Sequence, residues 1–516
     1  MESTVFRVVI AGGGTAGWLS AARLAAWSRI EGNPTLDITL VESPDIPTIG
    51  VGEGTWPTIR ETLSAIGIGE EEFLIACDAS FKQGSRFDGW LTGQAGDQYY
   101  HPFSSVPELD PAALVSAWQG AAAQRPFGEV LSPQPAVSAA DLAPRQSSMP
   151  PYSGALNYAY HLDAGKLVAL LRRHSVERLG IKHVQDTIRS VIADNAVNIA
   201  ALVTAAYGRI EGDLFIDCTG FKALLIDGHC KSLWVDQSRF VMNDRALAAQ
   251  VPVMPGSPIA SVTVGTAHQA GWLWDIGLPT RRGIGCVYSS RFIDDDGARA
   301  ILDRYIGERL PQGSDYAVRA IAFPTGHREQ FWVGNCVAIG LSAGFIEPLE
   351  ASAIVLIELS LKALISAFPS DRAQMPFLAE RFNWLFTQRW QRIVEFLKLH
   401  YVLSTRDEPY WRAQREPATI PDRLAGLLRL WRDQPPASGD LPLAEEMFPA
   451  ASFQYIYYGM GGTVPVRLPP ISPLANEQLA NIADRARALA SVLPTNRSYL
   501  DSLARRSAQA VQESAA

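Results

Sequence analysis

The residues best suited to chemistry begin near the amino terminus. Gly12-Gly13-Gly14-Thr15-Ala16-Gly17 is a GxGxxG turn with glycines at 12, 14 and 17. Missing side chains let the backbone approach a pyrophosphate, and the helix that follows offers amide donors and a positive dipole end. Glu42 stands 25 residues after Gly17, at the end of the next strand, where a carboxylate accepts from a ribose diol. This fingerprint alone fits NAD and FAD equally. Two later segments favour FAD: the strand Gly212 to Asp217, ending in Asp217-Cys218-Thr219-Gly220, and the strand Val337 to Ile339, running into Gly340-Leu341-Ser342-Ala343-Gly344. Three separated nucleotide-facing strands suit a large FAD domain with an inserted substrate region.

These residues need a frame. Val5 to Ala11 reads as a strand, Ala16 to Ile30 as a helix and Leu36 to Val41 as a second strand. Residues 131–153, rich in Pro, Ser and Ala, read as a long surface loop. Ala164 to Leu179 reads as a helix, 187–288 mostly as strands, and the remainder mostly as helices, with strands near 317–322 and 335–339. The expected fold class is α/β. It has an FAD-binding Rossmann-like core of the glutathione-reductase or hydroxybenzoate-hydroxylase type, an inserted β-rich substrate region and a C-terminal helical cap. The expected division is a core over 1–400, with the substrate region interleaved, and a cap over 401–516 that closes the substrate site.

Composition narrows the classes. Apolar residues make up 47% and charged residues 19%, which excludes a disordered or fibrous chain. Lys and Arg number 45 against 53 Asp and Glu, a net charge of −8, so non-specific nucleic-acid binding is not expected. The cysteines at 77, 218, 230, 286 and 336 form no CxxC pair, and an odd, scattered set fits a reducing cytoplasmic compartment. No charged leader with an apolar core is read at the start. The longest apolar run, Ala351 to Phe368, is interrupted by Glu358 and Lys362, so no membrane span is expected. No metal site is expected either.

Several motifs together resemble one family, the flavin-dependent tryptophan-halogenase-like enzymes. The likeness runs from about residue 5 to about 412 and resumes weakly near 445–465. Trp272-x-Trp274-x-Ile276 looks like the family's WxWxI box, which flavin hydroxylases lack. Gly50-Val51-Gly52-Glu53-Gly54-Thr55 looks like its flavin strap, and Ala79-Ser80-Phe81-Lys82 like the segment bearing its essential lysine. His101-Pro102-Phe103 resembles the segment that stacks on the aromatic substrate. Phe345-Ile346-Glu347-Pro348-Leu349-Glu350 resembles the segment bearing its essential glutamate. Singly, each has a plain structural explanation: alternating tryptophans as strand core, Lys82 as a solvated lysine, Glu350 as a charge at a helix start. Their joint occurrence in this order gives the likeness its force.

The resemblance implies an FADH2- and O2-dependent halogenase. Halide is converted to hypohalous acid beside the flavin and passed to Lys82 for electrophilic halogenation of an indole-type ring. It implies Lys82 and Glu350 as catalytic residues and the backbone of Ser352 and Ala353 as the halide site. His101, Phe103 and Phe448 are the implied substrate walls. The implied flavin contacts are Gly12, Gly14, Thr15, Ala16, Gly17, Glu42, Gly50, Val51, Gly52, Glu53, Asp217, Gly340 and Leu341. No second GxGxxG offers a nicotinamide site, so a separate flavin reductase is the expected partner; a homodimer is left open.

Two departures matter. Members acting on free tryptophan place paired tyrosines and a glutamate ahead of the C-terminal aromatic, yet no Tyr lies between Trp411 and Phe448, and Asp440, Glu445 and Glu446, though present, do not align with that glutamate. A substituted indole, a larger indole-bearing molecule or a peptide is then expected over free tryptophan, and free tryptophan is expected to be a poorer substrate than indole itself. Relatives usually read Glu-Ser-Thr-Gly where this chain reads Glu350-Ala351-Ser352-Ala353, and bromide is expected to be favoured over chloride. The rival readings are a flavin-dependent aromatic hydroxylase and a non-catalytic flavin-binding protein.

Overall fold

A computed structural model describes residues 5–46, 52–122, 125–195, 197–309 and 315–515. The chain forms two compact units, each assembled from three separated stretches: Met1–Asp78, Leu162–Gln237 and Pro324–Trp390 in the first, and Ala79–His161, Ser238–Phe323 and Gln391–Ala516 in the second.

The first unit is built on a six-stranded sheet. Its order is Trp332–Val333, Cys336–Ala338, Leu214–Asp217, Phe6–Ala11, Leu36–Glu42 and Lys182–Gln185. All neighbours run parallel except the hairpin at the first edge. Parallel strands are covered on both faces, so their residues are apolar without alternation. Val8, Val9, Ile10 and Ala11 accordingly are all buried. The helix Thr15–Ser28 crosses between the first two strands, and its Gly17, Ala21, Ala22 and Ala25 are buried small residues. The helices Ala164–Glu177 and Ser352–Ser366 pack against it. This is the expected Rossmann-like core.

The second unit carries a seven-stranded sheet. Its order is Val318–Ala322, Arg245–Pro252, Arg281–Tyr288, Gly271–Gly277, Thr263–His268, Gly84–Asp88 and Gln98–Pro102. Only Thr263–His268 and Gly84–Asp88 pair in parallel. Every residue of the central strand Gly271–Gly277 is buried. Trp272 and Trp274 of the WxWxI motif therefore belong to the core. A methyl group added at Gly285 would fall 2.1 Å from the Trp274 ring, so that glycine makes room for the tryptophan. The helix Asp295–Arg309 seals one face with Ala298, Leu302, Tyr305 and Ile306. From 401 onward the unit is mainly helical, with Asp422–Leu430, Ala450–Gly459, Pro473–Val492 and Asn496–Ala515 as its main helices.

The stretch 131–153 differs from its reading as a surface loop. Its prolines open a short helix, Gln134–Ala139, where a proline in the first turn is tolerated. Gln134 and Val137 are fully buried, and the Gln134 carboxamide accepts from the Ser104 amide at 2.8 Å. Among the described residues no helix is long and apolar enough to cross a membrane, and no group of three His, Cys, Asp or Glu could hold a metal ion. All five cysteines are free thiols.

Candidate active site

The glycine turn is shaped by what it excludes. A methyl group at Gly12, where φ is +108°, would lie 2.2 Å from the Cys218 carbonyl oxygen. One at Gly17 would lie 1.8 Å from the Gly12 carbonyl oxygen. Gly14 is the opposite case, with nothing within 4 Å of that position. It caps the helix Thr15–Ser28 without any side-chain hydrogen bond, leaving the first-turn amides around Thr15 and Ala16 to a ligand. Such a cradle, closed by backbone on one side and open on the other, fits a dinucleotide pyrophosphate. Gly13 serves Glu42: a methyl group there would sit 2.2 Å from the Glu42 carboxyl carbon. That carboxylate is oriented by His183, whose Nε2 lies 2.9 Å away, and His183 rests edge-on against Trp18.

Asp217 organises the neighbouring turn. One carboxylate oxygen accepts from the Thr219 amide at 2.9 Å and the Thr219 hydroxyl at 2.7 Å; the other accepts from the Leu225 and Ile226 amides, both at 2.8 Å. Gly340, at φ +79°, brings its backbone against the dinucleotide helix, since a methyl group there would lie 2.6 Å from the Ala16 Cβ; Leu341 follows in a short 3-10 turn. Gly50 and Val51 lie outside the described residues. Gly52–Gly54 forms a short strand. In it, desolvation and then the nearby Asp163 carboxylate push the Glu53 carboxyl up to about 7.

The first unit also holds Glu350 and the helix start behind it. Glu350 is 4% exposed, and its carbonyl accepts from the Trp56 indole N–H at 2.7 Å. Ala351 adopts the left-handed conformation, φ +53° and ψ +42°, and the helix Ser352–Ser366 begins immediately after it without a side-chain cap. A left-handed residue next to right-handed ones turns successive amides toward one point, which makes a concavity suited to an anion. Ser352 and Ala353 supply those amides. Six residues beyond Ser352, the Glu358 carboxylate accepts from the Thr58 hydroxyl at 2.8 Å and the Thr62 hydroxyl at 2.5 Å. Burial pushes this carboxyl up to about 7 against the pull of those bonds.

The second unit holds the amine and the aromatic residues. Lys82 ends the strand Ser80–Lys82, is 1% exposed, and its Nζ lies 5.4 Å from the centre of the Phe103 ring. It is not the solvated lysine that average behaviour would give. His101 is buried, with Nε2 2.8 Å from the Ser452 hydroxyl and its ring 5.6 Å from Phe396. Phe448 stacks on Phe396 at 3.7 Å with 16° between planes. Phe396 and Ser452 were not singled out from the sequence. Each sits within a helix, and nothing in local spacing separates them from ordinary packing residues.

The acidic loop before Phe448 is closed on itself. Asp440 accepts from the Trp431 indole N–H and the Ala437 amide, both at 2.9 Å. Glu446 accepts from the Leu443 amide at 3.0 Å and lies 4.0 Å from Arg392, which pairs with Glu395 at 2.9 Å. Glu445 is exposed.

Comparison with known proteins then decides the family. The tryptophan halogenase family model matches residues 7–476. The chain belongs to the tryptophan halogenase family. The halogenase is 34% identical to a tryptophan 6-halogenase of Streptomyces toxytricini, over 97% of this chain and 98% of that one. The crystal structure of a tryptophan halogenase from Shewanella frigidimarina superposes with a TM-score of 0.91 at 44% identity, covering 97% of this chain and 98% of that one. A flavin-dependent halogenase from Xanthomonas campestris gives 0.86 at 35% identity, covering 97% and 98%. The halogenase is thus an enzyme of the flavin-dependent class, and the cradle described above fits its cofactor.

Proposed function

We propose that this halogenase halogenates an indole-type ring through Lys82, with bromide favoured and free tryptophan disfavoured, drawing FADH2 from a separate flavin reductase. The observation that carries the reading is Lys82: a fully buried amine beside the Phe103 ring, in the unit that also holds His101, Phe396 and Phe448. Bound reduced flavin and O2 supply the oxidant that turns halide into hypohalous acid. As an ammonium, Lys82 donates a hydrogen bond to the oxygen of hypohalous acid and makes the halogen more electrophilic. As a free amine it forms an N–halogen bond while the O–halogen bond breaks and water leaves. On either route the ring gains a carbon–halogen bond and loses a proton, for which the Glu350 carboxylate is the acceptor. The amides of Ser352 and Ala353 hold the halide. A site made of amides alone penalises a strongly hydrated chloride more than bromide. His101, Phe103 and Phe448 provide flat faces for the ring, and the helices of 401–516 close the substrate side.

The test uses purified protein with a flavin reductase, NADH and indole, with and without halide. Lys82→Ala should yield no halogenated indole while flavin oxidation and peroxide release continue. Glu350→Gln should lower turnover by about 100-fold or more, as expected for a lost proton acceptor. Halogenation near the wild-type rate by Lys82→Ala overturns the reading, and a hydroxylated product without halide favours the hydroxylase.

A further inference from the structure

His161 is completely buried, and its imidazole is anchored on one side only. Nε2 lies 2.8 Å from the Thr263 hydroxyl, whereas Nδ1 is buried with no hydrogen-bond partner among the described residues. Buried polar atoms without partners are rare in folded chains, and each calls for a ligand, a water or a chemical role. The strand register shows where this one stands. Ser80 pairs with His161, Phe81 with Tyr160 and Lys82 with Ala159, in antiparallel fashion. Directly opposed residues project to the same face, so Ser80, Lys82, Ala159 and His161 share one face and Phe81 and Tyr160 the other. Lys82 and His161 are diagonal neighbours on that face, a separation that long side chains span. Ser80 does not compete for the imidazole, because its hydroxyl donates to the Gly277 carbonyl at 2.6 Å. Burial, and then the nearby positive charge of Lys82, hold the His161 imidazole well below its usual range, so the ring is neutral. In the tautomer whose Nε2–H donates to Thr263, Nδ1 carries a free lone pair.

We infer that Nδ1 of His161 accepts the hydrogen bond of the hypohalous acid that reaches Lys82, holding its O–H end so that its halogen end faces the amine. This rests on the proposed role of Lys82. Hypohalous acid has one O–H donor and one electrophilic halogen, and two groups on one sheet face can grip one end each. When the N–halogen bond forms, the O–halogen bond breaks, the oxygen takes an amine proton, and the products are the haloamine and water. His161 returns neutral. It is a positioning residue: it acts through the oxidant's orientation and is not itself halogenated.

The experiment replaces the ring by amides that retain one end of it. His161→Gln places its amide near the Nε2 position and removes the Nδ1 acceptor; His161→Asn does the reverse. Halogenation of indole is measured with catalase present, together with halogenation of an electron-rich 1,3-diketone added to the solution as a trap for escaping hypohalous acid. Binding of FAD is followed by flavin fluorescence. For His161→Gln, kcat should fall about tenfold, the scale of one lost hydrogen bond, with KM for indole unchanged and FAD binding retained. Trapping by the diketone should rise, a signal that a merely structural histidine would not give. His161→Asn should keep kcat within about threefold of wild type. Lys82→Ala is run in parallel. If Lys82→Ala still halogenates, the proposed function fails. If Lys82→Ala is inactive while His161→Gln keeps its kcat and leaks no more oxidant, the His161 assignment alone fails. Should His161→Gln not fold, His161→Asn decides, and a tenfold loss there overturns the assignment.

Discussion

The two units offer different means of binding. The first relies on backbone: glycines that close or open space, a helix start at Gly14 and another at Ala351. The second relies on side chains drawn from distant stretches, with Lys82, His101, Phe396 and Phe448 spread over more than 360 residues. Backbone recognition tolerates few residue types, so it leaves a dense local pattern. Side-chain recognition needs only one residue per segment, so its pattern appears once the chain has folded.

The sharpest test of that contrast is a single methyl group. Gly17→Ala drives a Cβ into the Gly12 carbonyl, 1.8 Å away, and should abolish FAD binding by fluorescence titration, while Lys82→Ala should bind FAD as wild type does. Equal FAD affinity for Gly17→Ala and wild type would break the account of the first unit.

The same contrast explains what was legible. GxGxxG, Glu42 and the strand–helix–strand frame were readable because each residue type there has one physical reason. Glu350 and Lys82 came from motif resemblance, and nothing in their spacing marks them as buried. The stretch 131–153 misled because Pro and Ser signal turns, although Gln134 and Val137 are packed inside. His161 gave no sign, since strand register across the gap from Ser80 is not visible in a linear chain. Trp272 and Trp274 were a strong family signal, yet both serve as packing.

A second prediction probes the side-chain unit. Because Asp440 and Glu446 already hold hydrogen bonds or an ion pair, a buried ammonium would have to compete for them, at a cost of several kcal/mol. The specificity constant for indole should exceed that for free tryptophan, measured on purified enzyme with a reductase; the reverse ranking would mean that the loop opens.

A third, smaller effect returns to the first unit. Glu358 holds its proton up to about 7 in the folded chain, against 4.5 as the ordinary value. Its neutral form is the one the fold prefers, so its contribution is full below about 4.5 and is lost as pH rises toward about 7. Denaturant unfolding should show stability falling by roughly 1–3 kcal/mol across that window, and Glu358→Gln should flatten the fall. Parallel pH slopes for the two proteins would remove Glu358 as the cause.

The smallest effect concerns the halide. Ala351→Ser adds a hydroxyl at the left-handed residue beside the Ser352 and Ala353 amides. In a competition at equal bromide and chloride, wild type should give mostly brominated indole by mass spectrometry, and the variant should shift toward chloride. A chlorinated majority from wild type would end the bromide reading.

The closed loop before Phe448 has a thermodynamic consequence. Its acids, the Trp431 indole and the Arg392–Glu395 pair order the segment without help from a ligand. An aromatic guest at the proposed site then meets walls that have already lost their rotational freedom, and little ordering entropy remains to oppose its entry. Affinity across a series of ring-substituted indoles should follow contour and area, with similar association rates throughout, as for a mould that has set before it is filled.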